Sequence, residues 1–159
     1  MKINIVTAGK IKEKYLTMGI AEFMKRLTPF AQVNIIEISE EKMKDTPSEA
    51  EKQKTLTAEG ERLLKQVPAG SYLIVLDVYG QQASSEELAA RIDALCLDGK
   101  SNITFLIGGA FGLSSEVRAA AAEKLSFSRM TFTHQMVRLL LVEQIYRAFK
   151  INRGEKYHW

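Results

Sequence analysis

The sequence predicts an α/β fold with a mainly parallel sheet and helices on both of its faces. Short apolar runs alternate along the chain with segments of helical periodicity, and two of these runs, SYLIVLD and ITFLIGG, are apolar almost without interruption. Strands of this kind are typical of a parallel sheet that is covered on both sides. A length of 159 residues favours a single domain over 1–159.

The first half of the chain is predicted to form two strands and two helices. INIVTAG is the first strand, and apolar residues at three- and four-residue steps over 11–27 predict an amphipathic helix. QVNIIEI is the second strand. Thr46 and Pro47 predict the start of the second helix, because a capping residue followed by proline at the first helical position is a common helix N-terminus.

The second half of the chain is more apolar. Between SYLIVLD and ITFLIGG a helix is predicted to begin at Ser84, and SSEVRAAAAEK predicts another, shorter one. The inward face of the first of these helices should carry Leu88, Ile92, Leu95 and Cys96. A final helix over 134–151 is apolar nearly all round, so either the core or a second subunit must cover it on more than one side. We therefore expect a homodimer.

Composition and charge exclude several classes of protein. No apolar run approaches the ~18 residues of a membrane helix and the N-terminus has no signal-type cleavage pattern, so we expect a cytoplasmic protein without a membrane partner. A lone cysteine, Cys96, permits no internal disulfide, and two histidines form no metal-ligand cluster, so no metal is expected. Both ends of the chain are basic whereas its middle is acidic, which suggests a basic face for an anionic partner.

Three stretches carry plausible chemistry. GGAFG, residues 108–112, follows a buried strand and precedes a helix, so it either brings its backbone close to a nucleotide-like ligand or is only a tight turn. LSFSRMTF, residues 125–132, begins like a short strand and is either core or a site that encloses an aromatic ring. The tail NRGEKYHW, 152–159, holds an arginine, aromatic rings and an imidazole, which suit phosphate and unpaired bases, although a frayed terminus is the alternative.

Taken together, these stretches resemble the RlmH family, SPOUT-superfamily methyltransferases that act on N3 of a pseudouridine in large-subunit ribosomal RNA. The similarity covers the whole chain, from MKINIVTAGKIKEKY through YLIVLD, FLIGGAFGL and LSFSRMTFTHQMVRLLLVEQIYRAF to RGEKYH. It implies a deep C-terminal trefoil knot in a cofactor-binding part of about 70–159, with S-adenosyl-L-methionine as the cofactor. It also implies a homodimer that acts on 23S ribosomal RNA in the assembled ribosome.

The resemblance further implies which residues form the site. The cofactor positions would be Leu76, Gly108, Phe127, Ser128, Arg129, Met130, Thr131 and Phe132. The tail of one subunit would reach the cofactor of the other, with His158 as a candidate base and with Arg153 and Tyr157 holding phosphate or the target ring. One departure is Thr133, where many relatives have proline, and we expect it to loosen the turn into the last helix.

Two alternatives to this function remain open. The chain could be a non-catalytic RNA-binding or ribosome-associated module that has the fold but not the chemistry. It could also be a methyltransferase of the same fold with another RNA target. Binding of S-adenosylmethionine separates the first alternative from an enzyme, and analysis of ribosomal RNA for the modified nucleotide separates the second.

Overall fold

The computed structural model describes residues 1–157, which form a five-stranded parallel sheet with helices on both faces. The elements in chain order are β1 (Lys2–Ala8), α1 (Lys14–Leu27), β2 (Gln32–Ile38), α2 (Glu49–Lys65), β3 (Tyr72–Gln82), α3 (Ser85–Leu97), β4 (Asn102–Ile107), α4 (Ser115–Ala120), β5 (Glu123–Ser126) and α5 (His134–Asn152). The strands lie in the order β2-β1-β4-β3-β5, and all four pairings are parallel. The predicted fold class is confirmed. Across 1–157, no helix combines the length and the apolar character that crossing a membrane requires.

The two faces of the sheet are covered by different helices. On one face Ile3 and Ile5 of β1 belong to a core cluster with buried residues of α1, α3 and α5. On the other face Val6 packs with buried residues of α2 and α4. Successive residues of β1 thus serve opposite faces, as the alternation of side chains along a strand requires.

The final helix, α5, is covered largely by its own chain. It packs between α1 and α3, and Leu141, Val142 and Ile145 are fully buried against the sheet. Of the two ways to cover so apolar a helix, the core therefore accounts for much of its inner surface. The homodimer stays a prediction, and so does the knot that the resemblance implies in this part of the chain.

Two helix starts differ from those that the sequence predicted. Thr46 and Pro47 precede α2 without forming its cap, because the hydroxyl of Ser48 accepts the N–H of Glu51 (3.2 Å) and the helix begins at Glu49. A serine whose hydroxyl can accept the N–H of the third helical residue, followed by acidic residues in the first turn, is the stronger signal for the start of a helix. Helix α1 begins at Lys14, three residues later than predicted, and Glu13 gives it no side-chain cap.

The prediction that Cys96 faces the core is wrong. Leu88, Ile92 and Leu95 are buried as expected, but the thiol is exposed and Ala89 takes the fourth inward position. Consecutive helical residues point about 100° apart around the helix axis. Since Leu95 is buried, Cys96 points away from the core and into solvent in the last turn of α3.

The edge of the sheet at β3 and β5 has an interrupted register that shapes the neighbouring site. Leu76 pairs with Leu125, and the next pairing joins Gln81 to the same Leu125, so the intervening residues of β3 leave the ladder. Gly80 lies against β5 so closely that a Cβ there would be 2.7 Å from the carbonyl oxygen of Lys124. Strand β5 ends at Ser126, earlier than the LSFSRMTF pattern suggested, so residues 127–132 are free to form a wall beyond the strand ends.

Candidate active site

A cavity of about 340 Å³ opens at the carboxyl ends of β4 and β5, beside the residues of β3 that leave the ladder with β5. It is lined by these strand ends, by residues 108–112, by the segment that follows β5 and by the start of α5. Its volume lies at the lower end of the about 300–1,000 Å³ that small-molecule sites occupy. The carboxyl edge of an open parallel sheet is also where such folds bind ligands.

Seven of the eight predicted cofactor residues line this one cavity. Leu76 lies in β3 and Gly108 directly follows β4, while five others follow β5: Phe127, Ser128, Met130, Thr131 and Phe132. Arg129 is exposed and does not line the cavity. The structure therefore brings together residues from three separate parts of the chain, and their role in cofactor binding remains a prediction.

Residues 108–112 form a tight turn that is also a wall of the cavity. Gly112 has φ +89°, its N–H donates to the carbonyl of Gly109 (3.1 Å), and the two residues form an isolated bridge. A Cβ on Gly108 would lie 2.6 Å from the carbonyl oxygen of Gly112, so no side chain fits there. GGAFG is therefore a tight turn whose backbone lies at the cavity surface, and its contact with a nucleotide-like ligand stays a prediction.

The segment after β5 is held by hydroxyl groups of its own. The hydroxyl of Ser126 donates to the carbonyl of Ser128 (3.0 Å), and the hydroxyl of Ser128 accepts the N–H of Met130 (3.0 Å). Thr133, expected to loosen the turn, instead caps α5 by accepting the N–H of Met136 (3.2 Å). Local hydrogen bonds thus set the path of this wall where sheet pairing no longer does.

The mouth of the cavity has an apolar rim. Eight large hydrophobic side chains are exposed within residues 1–157, and five of them line this cavity: Val78, Tyr79, Phe111, Met130 and Phe132. Tyr79 and Met130 are the most open of these, at 86% and 75% exposure. Exposed apolar groups gathered at one place indicate a surface that contacts a ligand or another molecule.

Two buried charged residues that sequence reasoning missed fix the surroundings of the cavity. Asp77 accepts the Nε–H of Arg118 (2.8 Å) and the N–H of Tyr79 (3.1 Å), which orients the interrupted part of β3. Arg138, at 2% exposure, donates to Glu37 Oε2 (2.8 Å), to the hydroxyl of Thr7 and to the carbonyl of Gly9. The available signal was the same in both cases, namely a single charged residue within an apolar element.

His134, the first residue of α5, also lines the cavity. Its Nε2 atom is buried and lies 3.1 Å from Glu40 Oε1, but the geometry is not that of a hydrogen bond. Sequence reasoning assigned this histidine no role. Its position makes it part of the wall that joins the loop before α2 to the start of α5.

Two of the predicted catalytic residues, Arg153 and Tyr157, lie apart from the cavity lining of their own chain. The hydroxyl of Tyr157 donates to Glu143 Oε1 (3.1 Å), and its ring stands edge-on to Tyr146 at 4.9 Å. The guanidinium of Arg153 lies 4.3 Å from the ring centroid of Phe30. His158 falls outside the described residues. The structure therefore does not bring Arg153 and Tyr157 to the cofactor set within one subunit.

The tail begins where the sequence predicted that α5 would end. Gly154 has φ +67°, a conformation that side chains disfavour, and the helix ends just before it. Glu143 and Arg147, four residues apart on α5, form an ion pair at 2.6 Å. Burial raises the pKa of the Tyr157 hydroxyl, and the charge of Glu143 and its hydrogen bond raise it further. The phenol is thus held neutral against a carboxylate.

Comparison with known proteins gives concordant matches over the full length. A family model described as "Predicted SPOUT methyltransferase" matches residues 1–158. A protein from Halothermothrix orenii (strain H 168) is 58% identical over 158 residues, and one from Pelotomaculum thermopropionicum is 51% identical over 157. The matches cover 99% of this chain and 99% and 98% of the two relatives, and both carry the name "Ribosomal RNA large subunit methyltransferase H".

One solved structure is a more distant match. A probable methylase family protein from Haemophilus influenzae Rd KW20 aligns with a TM-score of 0.49 and 15% identity. The alignment covers 96% of this chain and 65% of that one. A likeness of this size carries no functional information.

Proposed function

Because this chain belongs to the SPOUT methyltransferase family, we propose that it transfers a methyl group from S-adenosylmethionine to N3 of a pseudouridine in 23S ribosomal RNA. The observation that carries the proposal is the gathering of seven predicted cofactor residues around one cavity at the carboxyl edge of the sheet. The names of the relatives at 58% and 51% identity support the choice of ribosomal RNA as the substrate.

The cavity has the chemical groups that this cofactor requires. Leu76, Phe127 and Phe132 offer apolar surface for a purine ring, and the close turn of residues 108–112 offers backbone groups for its polar edge. The hydroxyls of Ser128 and Thr131 can serve the ribose or the amino-acid part. Arg129 does not line the cavity, so we propose no contact between it and the cofactor. The cofactor, when bound, supplies an electrophilic methyl group on a sulfonium sulfur.

The tail is proposed to complete the site from the neighbouring subunit of a homodimer. N3 of the target ring carries a proton at neutral pH that must leave, and a histidine, with an ordinary pKa of about 6.5, is largely neutral at pH 7 and can accept it. We assign that step to His158, the contact with phosphate to Arg153, and stacking on the base to Tyr157. The apolar rim, with Tyr79 and Met130 most exposed, gives such a covering segment a surface to meet.

We further propose that the cofactor-binding part, about 70–159, is the knotted portion of a single domain over 1–159, and that the protein acts in the cytoplasm. The formal net charge is only +3. Because affinity for a nucleic-acid backbone grows with the number of phosphates neutralised, so small a charge suits a preformed ribosomal surface better than naked RNA. Equal rates on deproteinised 23S RNA and on intact ribosomes would contradict this substrate.

Mass spectrometry of 23S RNA tests the reaction itself. RNA from cells that have the gene should contain one methylated pseudouridine that RNA from cells lacking the gene does not. Calorimetry with S-adenosylmethionine tests the cofactor independently. Absence of binding at millimolar concentration would remove the proposed cofactor, and an unchanged RNA modification profile would remove the proposed substrate.

A further inference from the structure

The middle of α2 contains a buried carboxylate, Glu59, for which the proposed chemistry has no use. The side chain is 7% exposed, and no ion pair among residues 1–157 includes it. Burial raises its pKa, and two backbone hydrogen bonds oppose that shift. A buried carboxylate without a cation partner costs free energy unless backbone or side-chain donors satisfy it. The donors to Glu59 therefore indicate what the residue does.

One of these donors belongs to the glycine turn of the cavity. The N–H of Gly109 donates to Glu59 Oε1 (3.1 Å), and the N–H of Glu41 donates more weakly to Oε2 (3.5 Å). Gly109 also approaches the carboxylate so closely that a Cβ would lie 2.9 Å from Oε1. Glu59 itself does not line the cavity, whereas Gly109 does. The carboxylate therefore binds the turn on the side that faces away from the cavity.

The neighbouring residue of α2 is packed against the other end of the same turn. A Cβ on Gly60 would lie 2.5 Å from the hydroxyl oxygen of Ser114 and 3.0 Å from Val117 Cγ2. Ser114 caps α4 directly after the turn by accepting the N–H of Val117 (3.2 Å). Two consecutive residues of α2 thus contact the turn itself and the segment that follows it, so the helix and the turn are positioned together.

We propose that Glu59 is a positioning residue for the cofactor cavity, acting through the N–H of Gly109 on residues 108–112. This inference rests on the proposed function, because it takes the turn to be a wall of the cofactor site. The two oxygens of the carboxylate accept from two separate backbone groups. Glutamine at this position keeps one acceptor for Gly109 but presents an amide N–H toward the N–H of Glu41, so it retains only part of the arrangement.

The test compares Glu59→Ala and Glu59→Gln with Glu61→Ala in the full-length protein. Glu61 is an exposed carboxylate on the same helix, so its replacement controls for charge and helix propensity. We expect calorimetry to show S-adenosylmethionine bound about tenfold more weakly by Glu59→Ala and about threefold more weakly by Glu59→Gln, as loss of a charge-assisted hydrogen bond predicts. Glu61→Ala should bind like the wild type. Without cofactor, amide hydrogen exchange at Gly109 should accelerate in Glu59→Ala and not in Glu61→Ala.

Each other outcome decides the question. Wild-type affinity together with wild-type exchange at Gly109 in Glu59→Ala overturns the proposal. Faster exchange throughout β1 and α5 as well, with no recovery of affinity in Glu59→Gln, shows a general stabilising role and also overturns it. If Glu59→Ala does not fold, the cofactor affinity of Glu59→Gln decides, and a wild-type affinity then overturns the proposal. If the wild type binds no S-adenosylmethionine, the proposed function fails, and exchange at Gly109 still shows whether Glu59 holds the turn.

Discussion

Residues 127–132 and the tail, 152–159, stand at opposite ends of the C-terminal part of the sequence, and different kinds of contact place residues 127–132 and the described part of the tail. Residues 127–132 follow β5, whose parallel pairing with β3 delivers them to the carboxyl edge of the sheet beside Gly108. The tail follows α5 instead, and what holds Arg153 and Tyr157 is a set of ring and carboxylate contacts with Phe30, Tyr146 and Glu143. Sheet topology thus gathers the predicted cofactor residues within one chain, whereas the proposed role of the tail requires a second subunit.

Deleting residues 153–159 should separate the two halves most sharply. We expect methylation of ribosomes to fall by about 100-fold or more, since the deletion removes the proposed base and the groups that hold the RNA. Affinity for S-adenosylmethionine should stay within about twofold of the wild type, because none of the removed residues that the structure describes lines the cavity. Single-turnover methylation and calorimetry on the same preparation measure the two quantities. Loss of cofactor binding would place the tail in the cofactor site instead.

Mixing two defective chains tests whether the tail acts on its own subunit or on the partner. One chain lacks residues 153–159, and the other carries Phe127→Ala in the cofactor cavity. If the tail serves the partner, equal mixing should restore about a quarter of wild-type activity, because half of the dimers are mixed and each has one complete site of two. Each chain alone serves as the control. A mixture no more active than the two chains apart would mean that each tail serves its own subunit.

Phe127→Ala should have the converse effect on the cofactor half. Phe127 lines the cavity and also packs against the main core. Loss of a stacking ring should weaken binding of S-adenosylmethionine about tenfold, which is about 1.4 kcal/mol. Tyr15→Ala, which truncates an aromatic side chain exposed on α1, is the matched control and should leave the affinity unchanged. Unchanged binding by a folded Phe127→Ala protein would exclude this ring from the cofactor site.

Tyr157→Phe should have the smallest effect. The change removes a donor to Glu143, which still accepts from Arg147, so the unfolding free energy should fall by about 0.5–1 kcal/mol at pH 7. The raised pKa of Tyr157 means that this stabilisation is complete below the ordinary tyrosine value of about 10 and is lost as pH rises through the higher folded value. Denaturant unfolding near pH 8 and near pH 10.5 checks the sign. The wild type should lose more stability than Tyr157→Phe over that interval, and equal losses would mean that the tail contact does not form in solution.

Most of the fold could be predicted because its signals are local. Uninterrupted apolar runs marked β3 and β4, and the limits of β2 match QVNIIEI residue for residue. The features that were predicted wrongly are those for which two nearby residues could take the same structural position. Ser48, and not Thr46, caps α2. Ala89, and not Cys96, is buried on the inward face of α3, and periodicity alone did not distinguish the two.

The site was predictable to the extent that its residues follow strand ends, which a parallel sheet gathers along one edge. The groups that were missed, Asp77, Arg138 and Glu59, act through partners remote in sequence. Arg138 donates to a carbonyl 129 residues away, and Glu59 accepts from an N–H 50 residues away. No local pattern specifies such a pairing. A charged residue inside an apolar or buried element shows only that some partner must exist.

The position of β1 inside the sheet, between β2 and β4, has a consequence for biosynthesis. This strand is made first, yet its partner β4 begins 100 residues later, and Ile3 and Ile5 are covered by residues of α5, the last helix. Contacts between such distant parts of a chain form slowly and late. A nascent chain without α5 therefore leaves one face of its sheet only partly covered and lacks the cavity wall that the start of α5 supplies. A premature stop should yield a chain that is removed as misfolded, so the cell should contain no partly active fragments.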